Sequence, residues 1–111
     1  MRAYELMVIF SGDLDDGGAQ AMSRQIIDQI AAKSGRVVGP PDWWGRRRFA
    51  YEINHKWDGH YAVYNVLAPG GALDDLERFL RIADEVVRHK LIRLPDHEAA
   101  RRNMVAADAA G

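Results

Sequence analysis

The spacing of apolar residues in this chain switches back and forth between two periods, and the order of the switches admits few folds. From Arg2 to Phe10, Tyr4, Leu6, Val8 and Phe10 share one parity and Ala3, Glu5, Met7 and Ile9 the other. A strand has that period of two, and apolar residues on both parities suit a central strand. Between Leu14 and Ser34 the spacing becomes helical, with Ala19, Met22, Ile26 and Ile30 forming one stripe. Asp13 or Asp15 can cap its start, and Gly35 is expected to close it. Arg36 to Ile53 returns to strand period but contains Pro40-Pro41, which cannot donate ladder hydrogen bonds. This stretch must therefore be an edge strand, a bent strand or two pieces. A turn at Asn54–Gly59 leads to a strand over His60–Leu67, a helix over Leu73–Ala83 with Leu73, Leu76, Leu80 and Ala83 as its stripe, and a last strand over Val86–Leu94.

Strand, helix, strand, strand, helix, strand, joined by right-handed crossovers, predicts an α+β chain of the ferredoxin-like split βαβ (βαββαβ) type. It has a four-stranded antiparallel sheet with two helices on one face. The first and third strands are central; the second and fourth are edges. One sheet face is left bare, and Met7, Ile9, Tyr61, Val63 and Ile92 are the candidates to line it. That many exposed apolar groups imply a protein or RNA partner lying over them. The chain of 111 residues is expected to make one domain over 1–95. Residues 96–111 show no core pattern and are read as a tail, flexible alone or ordered against a partner, with Met104 as a second possible contact.

Charge is distributed more tellingly than its formal sum of -1. Arg36–Lys56 holds five basic and two acidic residues, Arg88–Gly111 five and three, and the segment between is acidic. Local field governs steering toward a polyanion. In Trp43-Trp44-Gly45-Arg46-Arg47-Arg48-Phe49-Ala50-Tyr51-Glu52-Ile53, two indoles and three arginines precede an alternating strand. Guanidinium groups suit phosphate and ribose oxygens and stack on bases, so this can be a nucleic-acid or acidic-partner surface. It can equally be a solvated strand end that protects a sheet edge. Arg88 and Lys90 place further charge on the last strand.

Other chemistries are poorly served. The chain has no cysteine, so disulfides, a thiol nucleophile and a cysteine zinc site are excluded. His55, His60, His89 and His97 lack metal-ligand spacing, and no metal or cofactor is expected; His55 and His60 are read as possible RNA contacts. An acylphosphatase-like enzyme needs an anion cradle after the first strand, where Phe10-Ser11-Gly12-Asp13 puts an acid. No P-loop, Rossmann or Gly-x-Ser-x-Gly pattern occurs. An interaction module dimerising through its open sheet would account for the apolar face but not for arginines on both edges. No apolar run is long enough to span a bilayer, and Met1-Arg2-Ala3-Tyr4-Glu5 does not read as a signal peptide.

Trp44-Gly45-Arg46-Arg47-Arg48-Phe49-Ala50-Tyr51-Glu52-Ile53 resembles the tract W-G-[KR]-[KR]-x-[LF]-A-Y-x-I of the bacterial small-subunit ribosomal protein six family. Met1-Arg2-Ala3-Tyr4-Glu5 is similar to that family's opening, and Val86, Val87, Arg88, Lys90 and Arg93 to its basic closing strand. The likeness spans residues 1 to about 94. It implies a non-enzymatic, cytoplasmic constituent of the small ribosomal subunit that is a monomer outside the ribosome. It also implies binding to the central domain of the small-subunit ribosomal RNA together with small-subunit ribosomal protein eighteen. Arg2, Arg46, Arg47, Arg48, Arg88, Lys90 and Arg93 are the RNA contacts the resemblance implies. Trp43 and Trp44 are read as packing at the bend or touching protein rather than stacking on a base. Trp43, Pro40-Pro41 and Arg48 depart from the family pattern, and the terminal Ala-Ala-Asp-Ala-Ala-Gly is not an acidic tail for added glutamates.

Overall fold

The first strand, β1 (Arg2–Ser11), sends its two parities to opposite sides of the sheet it centres. In the computed structural model, which describes residues 1–104, seven further elements follow. They are α1 (Asp16–Ala32), β2 (Arg36–Val37), β3 (Asp42–Ile53), β4 (Lys56–Ala68), α2 (Asp74–Ile82), β5 (Val86–Arg93) and α3 (Asp96–Arg101). β1 pairs antiparallel with β4 on one side and β5 on the other, while β2 and β3 share the outer edge of β4. This is the expected ferredoxin-like sheet with five strands instead of four. The long second strand is two pieces because Gly39, at φ +74, and Pro40-Pro41 interrupt its ladder.

Leu6, Val8 and Phe10 of β1 and Ala62, Tyr64 and Val66 of β4 meet Ala19, Met22, Ile26 and Ile30 of α1 and Leu76 and Leu80 of α2 in the main core. Burying side chains of this kind stabilises by about 1.5–3 kcal/mol each, so both long helices are held to the same face. Asp15 is the cap of α1, accepting from the Gly18 amide at 2.7 Å. At the other end the left-handed residue is Ser34 (φ 66) rather than Gly35. Ser34 N–H donates to Ala31 and Gly35 N–H to Ile30, a Schellman closure. Gly35 is needed for room, since a Cβ there would lie 3.0 Å from both Ile30 Cγ2 and Leu67 O.

Inside this core the Tyr64 hydroxyl shares a 2.6 Å hydrogen bond with Ser23 Oγ. Burial pushes the Tyr64 hydroxyl up from 10.0 to about 12, with the bond to Ser23 opposing. A raised folded value means stability is fully present below the unfolded value near 10 and is lost as pH climbs toward 12. Urea midpoints measured across that window should fall, with a loss on the order of 2–3 kcal/mol. Tyr64→Phe should abolish this part of the slope, while costing about 1 kcal/mol at neutral pH through the unpaired Ser23 hydroxyl.

The segment read as a patternless tail is partly ordered. α3 lies on the face opposite α1 and α2, where Ala99 and Met104 are buried with Ala3, Leu67 and Leu94. Arg102 fastens it: its guanidinium bonds Glu98 at 2.8 Å, Asn65 Oδ1 at 3.0 Å and Glu5 at 3.2 Å. Single apolar residues widely spaced in a polar stretch carry no periodic signal, which is why the sequence hid this packing. The remainder of the expected tail, 105–111, lies outside the described residues.

Candidate nucleic-acid interface

β3 and β4 form a hairpin whose loop, Asn54-His55, has positive φ at both residues (50 and 63). That is a two-residue turn whose twist matches its strands, and it starts β4 at Lys56, earlier than the expected His60. Two irregularities shape the hairpin. The first lies between Trp43 and Gly45, where Gly45 takes φ +77. It sends the two indoles apart. Trp43 turns to the helix side against Phe10 and His60, at ring distances of 5.9 and 6.4 Å. Trp44 lies on the bare side, parallel to Tyr61 at 5.8 Å and 8°. The second, between Arg48 and Ile53, curls the hairpin end over the sheet. Phe49 is buried on Ile9 and Val87, and Asn54 Nδ2 donates to Val87 O at 2.9 Å. Val87 faces this way because of a bulge in β5, where Ile9 pairs with Arg88 and Phe10 with Val86. Regular strand spacing would put Val87 on the same face as His89 and Leu91; the bulge turns it to the opposite one.

The curled hairpin makes a groove of about 420 Å³ on the bare face. Met7, Ile9 and Tyr61 line its floor, Arg48, Phe49, Ala50, Tyr51 and Ile53 one wall, and Arg88 and Lys90 the other. None of its lining residues is acidic. Trp44, Arg47 and Tyr61 bound a shallower notch beside it. Arg48 also lies 6.0 Å over the Trp57 ring. Such a surface offers cations beside planar rings, the combination suited to phosphate and exposed bases.

The predicted site residues do not form one patch. Arg47, Arg48, Arg88 and Lys90 gather at the groove and notch. Arg2 and Arg93 lie at the opposite end of β1, lining a cleft of about 480 Å³ with Leu94 and His97. Arg46 points to the helix side and donates to Gly12 O at 2.9 Å, Asp58 at 3.0 Å and Leu14 O at 3.2 Å. It fastens the loop after β1 to the hairpin, as does the Lys56–Asp13 ion pair, which holds the Asp13 carboxyl below its ordinary range. Of the apolar set, Met7, Tyr61 and Val63 are half-buried and Ile92 is exposed. Ile9 is buried beneath Phe49, and Met104 beneath α3, so neither is available to a partner in this conformation. Ile9 lies on the expected face of the sheet but Phe49 covers it, whereas Met104 had no strand parity to read; long-range contacts decided the exposure of both.

His60 is fully buried, its Nε2–H donating to Leu14 O at 2.8 Å, and is thus no RNA contact. His55 stays exposed beside Glu52 at 3.1 Å. His89 faces the helices, 3.5 Å from Glu77. Among the described residues no three His, Asp or Glu side chains converge to hold a metal, and no helix is long and apolar enough to cross a membrane. Trp57, Tyr51 and Asn54 were missed by the sequence reading. Tyr51 on β3 and Trp57 on β4 are both exposed although apolar, and neither that exposure nor the bridge from Asn54 to Val87 is encoded in local spacing.

The family model described as "Ribosomal protein S6" matches residues 3–93. The chain is 43% identical to small ribosomal subunit protein bS6 of Symbiobacterium thermophilum over 93 residues, which are 84% of this chain and 97% of that protein. It is 38% identical to bS6 of Bifidobacterium longum over 90 residues, 81% of this chain and 92% of the relative. The crystal structure of 30S ribosomal protein S6 from Thermotoga maritima superposes with a TM-score of 0.82 at 28% identity, covering 92% of this chain and 95% of that one. Family, fold and the non-enzymatic character expected from the sequence therefore agree, and the chain belongs to the ribosomal protein S6 family of the small ribosomal subunit.

Proposed function

We propose that this chain, a monomer outside the ribosome, binds the central domain of the small-subunit ribosomal RNA together with small-subunit ribosomal protein eighteen. The observation that carries the reading is the gathering of Arg47, Arg48, Arg88 and Lys90 on the face the long helices leave bare. No intramolecular ion pair engages any of these four among the described residues. Four uncompensated cations around an acid-free groove favour a polyanion, although the whole chain is near neutral. Arg2 and Arg93 form a second basic point at the far end of the sheet, so an RNA touching both sites would run along the length of β1. Arg46 belongs to this reading only indirectly, by positioning the hairpin.

The partner protein takes the apolar part of the same face beyond the groove, with Val63 and Ile92 at the centre of the contact and Met7 and Tyr61 at its border with the RNA. A basic partner would add phosphate-neutralising charge that this chain lacks. Tyr61→Asp should abolish pairing with protein eighteen in a pull-down while leaving far-ultraviolet circular dichroism unchanged. Intact pairing would move the protein contact off this face. The RNA reading itself is tested by filter binding of the central-domain RNA to the chain with and without protein eighteen. Equal, salt-insensitive retention of an unrelated RNA would overturn it.

A further inference from the structure

We infer that the notch between Trp44, Tyr61 and Arg47 is a stacking site for one unpaired nucleotide of RNA, an inference that rests on the RNA-binding reading above. Trp44 is 44% exposed, yet it is held rigidly. One side of the indole lies parallel to Tyr61 at 5.8 Å, and its N–H donates to Asp42 at 3.0 Å. The neighbouring Trp43 already supplies the hairpin's packing against Phe10 and His60, so the fold does not require the second indole for that. A large apolar ring kept half in water and fixed in orientation has its binding entropy reduced beforehand.

The third boundary of the notch is the Arg47 guanidinium, which makes no hydrogen bond or ion pair within the described residues. A base stacked on the indole would put its own phosphate within the arginine's sphere. Tyr61 also floors the adjoining groove, so the next phosphates would meet Arg48, Arg88 and Lys90. Asp42 is the nearby carboxylate, and it accepts the indole N–H. That bond leaves the indole without a free donor, so recognition here is by stacking and tolerates any base. A paired base in an A-form helix has no free face to offer, which restricts the ligand to a bulge, loop or junction nucleotide.

The probe is a short single-stranded oligoadenylate, with an RNA duplex of matched length as comparator, titrated into the full chain at low salt. Quenching of indole fluorescence is expected with the single strand. Trp44→Ala should weaken single-strand binding about 5- to 150-fold, the range of base–aromatic stacking, and leave duplex binding unchanged. Trp44→Phe should restore most of the affinity and, because it removes this indole, lose the share of the quenching that Trp44 supplies, leaving at most that of Trp57 beside Arg48. Absence of quenching in the unmodified chain, or equal loss for strand and duplex in Trp44→Ala, overturns the inference. If Arg48→Ala with Arg88→Ala reduces binding while Trp44→Ala does not, only the stacking site fails. If neither variant matters, the RNA-binding reading fails with it. Loss of pairing with protein eighteen in Trp44→Ala, with oligoadenylate binding intact, would make the notch a protein contact and likewise overturn it.

Discussion

Replacing Arg47, Arg48, Arg88 and Lys90 together by alanine is expected to lower affinity for the central-domain RNA by about two to three orders of magnitude near physiological salt. Each cation on a phosphate contributes roughly 0.7–0.9 to the slope of log K against log salt, so the slope should flatten by about three. Titrating the RNA across a salt series reads both quantities from one experiment. The thermal midpoint should barely move, since these are surface charges without intramolecular ion pairs, and the contact of Arg48 with the exposed Trp57 ring is worth little. Arg46→Ala should behave in the opposite way. Its guanidinium bonds Gly12 O, Leu14 O and Asp58, so its loss loosens the loop after β1 and leaves the salt slope nearly unchanged. A slope change for Arg46→Ala equal to that of Arg47→Ala would refute this division of the arginine triplet.

Gly59→Ala should be among the most damaging single substitutions in the chain, costing about 2–4 kcal/mol and lowering the melting temperature on the order of 10 °C or more. Gly59 stands opposite Arg47 in β3 and Ser11 in β1. A Cβ there would lie 2.6 Å from Phe10 O, 2.7 Å from Ile9 Cγ2 and 3.1 Å from Phe49 Cζ. The carbonyl belongs to a central strand and cannot retreat without opening the ladder. Phe49 would be the group to lift, and with it the hairpin wall of the groove. RNA affinity should therefore fall along with stability, even though no charge is removed. By contrast, Gly39→Ala meets open space and costs only the left-handed backbone, about 1–2 kcal/mol, with RNA affinity kept. Differential scanning calorimetry of both variants, beside their RNA titrations, tests the comparison.

Much of the fold was legible because β1, β4 and both long helices obey local periods. Tyr4 to Phe10 and Ala19 to Ile30 each place one face of an element in the core, and a repeating pattern survives in sequence. The site was legible only as an inventory. Arg46, Arg47 and Arg48 are consecutive and chemically identical, yet one fastens a loop, one borders the Trp44 notch and one faces the groove and Trp57. Irregularities at Gly45 and after Arg48 set these directions, and bulges have no fixed period.

The sequence by itself determined the element order, the faces of the central strands, the two helical stripes and the stock of cations and rings. Local steric and hydrophobic preferences act between near neighbours, so they are written in spacing. Tertiary structure alone decided that Ile9 and Met104 are covered, that His60 is interior and that α3 has a bed to lie on. It also decided that Asn54 reaches Val87 across the sheet. Those outcomes depend on contacts between residues far apart in the chain, whose approach is fixed only when the curled hairpin and the sheet close on each other.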